Sequence, residues 1–483
     1  MTSKIKQEHS QILPEIDLSF LKKEIFPYIN NPVAGDLFME QSKIHQILMS
    51  NGKITANGNT NISGFSVRKV TNKNLMFFNS STDLSKNKIQ EMSKNLEFFP
   101  SLQHNFTTKL LDGERDKSHN TNFHTQIVMD SNLEEVYELL SRIHNHIMNY
   151  SHGINDSTVT VKNSIISYSF NNNHREIYNE QDDFVMKNHK IWMLRINITL
   201  EQEGKIHSYT KGISSQKGFA FLLNHWKALV EFVWGAAYDN LVGEEIQAGS
   251  FTILMGPGEP GVLLHEAIGH AAESDLLAME ASCLSGKKGI QIATDIVSVV
   301  DDGTLEGERG HIYYDDEGTP TRKNTLIKDG YFIGELSDKF YGHQQGIESS
   351  GNGRRQSFAH NTLPRMTNTF LTKGKDNTDQ LLSSIVDGIY AVDFGGGQVD
   401  TTTGDFVFEA KLAYRIKNGK VVYPVRGVML MGNVMSALKN ISAIGDNHSL
   451  CNGSGNCGKN GQSVPVCVGC PSFIIHNITV GGK

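Results

Sequence analysis

Apolar residues recur at helical spacing in residues 131–147, SNLEEVYELLSRIHNHI, where Leu133, Val136, Tyr137, Leu140, Ile143 and Ile147 share one face. Ser131 and Glu134 stand at capping-box spacing and place the start of this helix. Beyond it the period shortens. TVTVKNSIISYSF (158–170) and KIWMLRINITLEQ (190–202) read as strands, the second followed by the turn residues EGK and a short run, IHSYTKG. Connections this short exclude βαβ crossovers, so the pattern predicts antiparallel hairpins. Residues 218–237, GFAFLLNHWKALVEFVWGAA, return to the helical period, with Leu222, Leu223, Trp226, Leu229, Val230, Val233 and Trp234 on one face. His225, Lys227 and Glu231 interrupt that stretch, which predicts an amphipathic helix rather than a membrane span.

From about residue 240 the pattern changes. Glycine comes in clusters (GPGEPG, GNG, GGG, GSGNCGKNG), separated by β-type runs: DIVSVVDDG, TLIKDGYFIGEL, DFVFEAKLAYRI and GKVVYPVRGVML. The predicted fold class is α+β. A mixed α/antiparallel-β domain over 1–240 is followed by a largely antiparallel β domain over 241–483, which carries the segment HEAIGH on one of its few helices. Asn, Lys and Ile are abundant before residue 220, as in NNNHREIYNEQ and NGKITANGNTNIS. These tracts read as compositional drift through permissive surface positions, because apolar periodicity persists between the polar residues.

Composition narrows the classes. The chain of 483 residues has 38% hydrophobic and 20% charged residues, a soluble globular balance. A formal net charge of -7 gives no electrostatic reason to expect nucleic acid or an anionic membrane as partner. MTSKIKQEHSQILPEI lacks the apolar core of a signal peptide. Five cysteines, an odd number gathered mostly at the C-terminal end, do not suggest a secreted disulfide framework. A cytoplasmic location is expected.

The candidate chemistry lies in GVLLHEAIGHAAESD, residues 261–275. The zinc-protease pattern H-E-x-x-H sets two histidines four apart on one helix face. Here His265 and His270 stand five apart, with Glu266 directly after the first. Five residues advance an ideal helix by about 500°, leaving the two rings roughly 140° apart. A single π-type turn would bring them together, and Gly269 makes local distortion easier. The alternative is two histidines flanking a half-buried helix. If a metal is held, Glu266 is positioned as the base that takes a proton from water.

A catalytic zinc site needs a third protein ligand. Cys451, Cys457, Cys467 and Cys470 are candidates, with Cys457 in a glycine-rich, turn-like context. Cys467 and Cys470 form a single C-x-x-C within a strand-like stretch, which reads as two semi-buried thiols rather than a separate metal knuckle, with a thiol redox pair as a further reading. Arg354 and Arg355 in GNGRRQS are placed either to hold a substrate carboxylate or oxyanion, or to bridge to DDEGTPT or a neighbouring turn. Gly395–Gly397 lack the lysine and helix of a phosphate-binding loop and read as tight turns or a place of close peptide approach. His360 and His448 read as structural.

These blocks resemble the TldD/PmbA family of metallopeptidases. GPGEPGVLLHEAIGHAAESD is similar to that family's GPGxxGVLLHEAxGHxxEGD, and VDDGT, DDEGTPT, GNGRRQSFAH, PRMTNTF, GIYAV, DFGGGQVD, CGKNGQSVPV and ITVGG follow in the family's order over 245–483. Before residue 240 the resemblance is looser, although AGDLFMEQ is similar to the family's opening strand. The histidine motif points to a TldD-type chain. The resemblance implies that His265, His270 and Cys457 bind Zn²⁺ and that Glu266 is the catalytic base. It implies a peptidase acting on short or unfolded peptides, in leader-peptide trimming and small-protein degradation. It also implies a PmbA-like partner subunit or a homodimer enclosing the site, with bound peptide added as an extra strand. A non-catalytic peptide-binding subunit with a structural metal is the alternative. The C-x-x-C departs from the family pattern.

Overall fold

Six strands build the first sheet: β1 (Ala34–Ser50), β2 (Lys53–Val70), β3 (Met76–Ser81), β4 (Thr160–Asn179), β5 (Phe184–Gln202) and β6 (Lys205–Ser215). They are antiparallel and run in the order β3-β2-β1-β4-β5-β6. The computed structural model describes residues 10–481 except 31–32, 97–131, 152, 154–157, 180–183, 452 and 454. The expected EGK turn is present: Glu203 and Gly204 both take positive φ (50° and 84°), the two-residue geometry that suits strand twist.

Two helices, Leu133–Asn149 and Phe219–Val242, cover one face of this sheet. Val136, Leu140, Ile143 and Ile147 are buried as the spacing predicts, with Leu139 added and Leu133 left exposed. The cap is Asn132, whose side chain accepts the Glu134 N–H; Ser131 of the expected capping box lies outside the described residues. In the second helix Leu222, Trp226, Leu229, Val230, Val233 and Trp234 are buried, but Leu223 faces solvent. No helix among the described residues is long and apolar enough to cross a membrane.

The asparagine-rich tract corrects one expectation. Residues 171–179 are not permissive surface but the second half of β4, paired with β1 along its length. Asn173 is buried and donates to Glu40 at 2.6 Å. Arg175 pairs with Glu40 at 3.0 Å and with Asp316 at 2.9 Å, and Lys187 of β5 reaches Asp316 at 2.7 Å. Buried Arg68 of β2 joins Asp36 at 2.5 Å to Glu317 at 2.6 Å. The ends of β1, β2, β4 and β5 are thus fastened to the DDEGT loop by buried ion pairs, whose charges would be costly to bury unpaired. A period-two pattern does not mark such positions, because their polar side chains are buried against another part of the chain.

Beyond residue 245 the regular structure is mainly strand, joined by long irregular connections. Gly249–Met255, Phe473–Gly481, Val428–Asn433, Asp405–Lys417 and Asp387–Val399 pair in that order, and the last returns to the first, closing a five-stranded barrel. Ile253, Ile389, Phe408, Leu430 and Val480 are among its fully or almost fully buried residues. The pairing is largely antiparallel, with the Gly249–Met255 and Asp387–Val399 pair running parallel. A second sheet contains Val299–Asp302, Asn368–Leu371 and Cys467–Cys470. A short hairpin, Asn456–Lys459 with Gln462–Pro465, stands apart from both.

Candidate metal centre

The expected helix over VLLHEAIGHAAESDLL is not one helix. An α-helical turn, Val262–Leu264, runs into a π turn, His265–Gly269, and then a 3₁₀ turn, His270–Ala272. Glu273 is extended (φ -73°, ψ 130°), and a new helical turn begins at Ser274. The His270 N–H donates to the His265 carbonyl, five residues back, as the spacing argument required. The two rings consequently face one another, with centroids 5.3 Å apart and planes nearly perpendicular at 86°. Gly269 permits the packing: a Cβ there would lie 1.8 Å from Met366 Sδ.

Cys457 closes the group. Its hairpin brings Sγ to 3.3 Å from His270 Nε2, and the donor atoms of His265, His270 and Cys457 all lie within 4.8 Å of one another. All three side chains are buried, and no other His, Cys, Asp or Glu among the described residues joins the set. Burial alone would raise the Cys457 thiol, but the His265 and His270 imidazoles hold it well below the usual thiol range. Burial would lower His270, yet Glu273 and the Cys457 sulfur hold it well above the usual imidazole range. One thiolate and two imidazoles are donors that zinc accepts, so the residues fit that metal. Glu266 places Oε2 3.8 Å from His270 Nε2, its side chain 30% exposed and open to solvent.

A polar frame behind these residues went unnoticed in the sequence. Glu273, fully buried, accepts from His270 Nδ1 at 2.9 Å and from Lys459 Nζ at 2.8 Å. Burial pushes its carboxyl up, but His270 and Lys459 outweigh that and hold it at about 2. Lys459 also reaches Asp275 at 2.7 Å and the Pro364 carbonyl at 3.2 Å. Cys457 and Lys459, two apart on a strand, point to the same face. The available signal was the pairing of HAAE with CGK, a carboxylate three residues after one ligand and a lysine two after another.

Other singled-out residues lie elsewhere. Arg355 is buried against Asp36 at 3.0 Å, Ser66 Oγ and the Asp316 carbonyl, which makes it part of the inter-sheet network. Arg354 donates to the Met366 and Pro465 carbonyls. Gly395–Gly397 form an exposed stretch of strand opposite Phe408 and Glu409. His360 bonds Ser357 at 2.9 Å, and His448 lies edge-on to Phe370. Cys467 and Cys470 are free, buried thiols pushed up to about 12 by burial. They donate to backbone carbonyls and take no part in the donor set.

Fold and donor set define a class: β-rich α+β chains in which a π turn presents two histidines and a carboxylate to a distant cysteine. The chain belongs to the PmbA/TldD family of metallopeptidases. Its residues 248–482 match the family's C-terminal domain and residues 35–97 its domain 1. It is 40% identical over 298 residues to the metalloprotease TldD homolog of Buchnera aphidicola subsp. Acyrthosiphon pisum, covering 59% of this chain and 61% of that one. It is 26% identical over 428 residues to a zinc metalloprotease TldD homolog of Saccharolobus solfataricus, covering 87% and 90%. The Buchnera match thus spans about three-fifths of that relative's length. Its fold is similar to that of TldE from Thermococcus kodakarensis, with TM-score 0.71, 17% identity, and coverage of 94% and 98%.

Proposed function

We propose that this chain is a zinc-dependent peptidase that hydrolyses short or unfolded peptides in the cytoplasm, organised as domains over 1–240 and 241–483. The observation that carries this reading is the convergence of His265, His270 and Cys457 beside Glu266. Three protein donors leave a coordination position open, as catalytic zinc sites do and structural ones do not. That count favours an enzyme over a non-catalytic peptide-binding subunit. A zinc ion held there supplies Lewis-acid polarisation of the scissile carbonyl. Glu266 takes the proton from the attacking water and delivers it to the leaving amine. Glu273 keeps the His270 ring turned toward the donor set, with its Nδ1 occupied.

Peptide addition as an extra strand fits the barrel strand Asp387–Val399. Its residues 388–391 pair with the strand Gly249–Met255, whereas among the described residues 393–399 pair only with 406–412, which leaves the other edge of that stretch without a strand partner. A PmbA-type subunit is the partner this reading calls for, and the likeness to a TldE fold supports it. The test is zinc content together with peptide hydrolysis, for the chain alone and mixed with a PmbA-type subunit. About one zinc per chain and metal-dependent cleavage are expected. A chain that binds zinc through a fourth protein ligand and cleaves nothing in either mixture would refute the assignment.

A further inference from the structure

Three arginines surround the Cys457 hairpin, and among the described residues none has a carboxylate at ion-pair distance. Arg309 donates from Nε to the Gly455 carbonyl at 2.9 Å and from Nη2 to Asn456 Oδ1 at 2.7 Å. Arg354 donates to the Met366 and Pro465 carbonyls at 2.5 and 2.9 Å. Asn456 and Pro465 face each other across the hairpin, so these two guanidinium groups grip the rung immediately before Cys457. Arg365 donates to the Cys457 carbonyl itself, and its Nε and Nη1 are buried without a partner. All three arginines are less than a tenth exposed, and none forms an ion pair among the described residues. Two carboxylates lie within electrostatic reach of Arg354: Asp316 is already held by Arg175 and Lys187, and Asp301 accepts from Asn352, Thr367 and Thr369.

Half-buried His189 of β5 stands within electrostatic reach of both Arg354 and Arg309, and its Nε2 is also without a partner. Arg354 is in turn within reach of Cys457. Burial lowers Arg309 and Arg354 to about 10, which leaves both cationic at neutral pH. Buried cations normally have a counter-charge, because desolvating one alone costs several kcal/mol. The nearby ion pairs of Arg68, Arg175 and Arg355 show the usual solution within this same chain. A guanidinium fork with free N–H groups matches a carboxylate in geometry and charge.

We infer that Arg309, Arg354 and His189 form a carboxylate-binding subsite beside the proposed metal centre, selecting peptides that carry an acidic side chain or a free C-terminus near the scissile bond. This selectivity rests on the peptidase reading, but the subsite itself is a binding property. The chain's net charge of -7 would repel an anionic peptide at long range, so any preference for one must come from a local feature.

The test uses the full chain with Glu266→Gln, loaded with zinc, and three fluorescently labelled hexapeptides followed by anisotropy. One carries Glu and an amidated C-terminus, one Gln and a free C-terminus, and one Gln and an amidated C-terminus. The subsite predicts about ten-fold tighter binding of at least one anionic peptide than of the neutral one. A preference for the first identifies a side-chain carboxylate, and for the second a terminal one. Arg309→Gln, which leaves the buried Arg354 in place, should erase most of that preference. Equal binding of all three peptides overturns the inference, as does a preference that survives both Arg309→Gln and Arg354→Gln. Cleavage of the neutral peptide by the unsubstituted chain tests the peptidase reading separately. Selective binding without any cleavage would sink that reading and leave the subsite standing.

Discussion

Cys457 Sγ lies 3.3 Å from His270 Nε2, although 187 positions separate the two residues along the chain. The π turn brings the His265 ring to the same point, and the hairpin supplies the sulfur from the far end of the sequence. The proposed chemistry depends on this meeting, and its parts can be tested one at a time.

Glu266→Gln should leave zinc content unchanged, since the residue stands outside the donor set, and should lower peptide hydrolysis by about 10²–10⁴-fold. Elemental analysis and a peptide assay on the same preparation check both halves. Full activity in that variant would remove Glu266 from the role of base.

Glu273→Gln tests the frame behind His270. The amide cannot neutralise Lys459 or hold the ring through a charged acceptor, so zinc affinity should fall by about 10–100-fold. Competition with a chromophoric chelator measures this, and Glu273→Asp should recover less than the full affinity because the shorter chain withdraws the oxygen.

Gly269→Ala places a methyl group where Met366 Sδ now sits, 1.8 Å from the added carbon. Overpacking of this kind costs about 1–3 kcal/mol, and here it would also disturb the π turn. Thermal denaturation should show a lower Tm, and the double variant Gly269→Ala, Met366→Ala should recover part of the lost Tm by opening space.

Asp316 gives a pH prediction. Burial raises its carboxyl, but Arg175 and Lys187 outweigh this and hold it well below the unfolded value of 3.8. A depressed carboxylate contributes stability that is complete above the unfolded value and is lost as the pH falls below it. Acidification from about pH 5 to about pH 3 should therefore destabilise the unsubstituted chain more than Asp316→Asn. At neutral pH the variant should be the less stable of the two by about 3–5 kcal/mol, because it leaves buried cations uncompensated. Chemical denaturation across that pH range settles the sign.

Cys467 and Cys470 should resist alkylation at pH 8 in the native chain and react only on unfolding. Burial pushes both thiols up to about 12, and the thiolate is the reactive form. Rapid native labelling, or peptidase activity that follows the redox state of this pair, would revive the thiol redox reading.

The sequence by itself was enough for the local chemistry. Helix faces and hairpin turns follow from residue spacing, whereas the spacing of His265 and His270 left a metal pair and two structural histidines both open, and the family resemblance favoured the first. Among the four late cysteines, spacing alone left open which one joins the histidines, and the family resemblance pointed to Cys457. The meeting itself is tertiary: strand pairing puts Cys457 on a separate hairpin facing the turn, and buries Cys467 and Cys470 in another sheet. The same holds for the asparagine-rich tract, whose polar residues became an inter-sheet lock. It holds as well for Glu273, Lys459 and the three arginines around the Cys457 hairpin. A buried polar residue has the same letter as a solvated one, and only the neighbours that long-range packing brings within hydrogen-bond reach decide what it does.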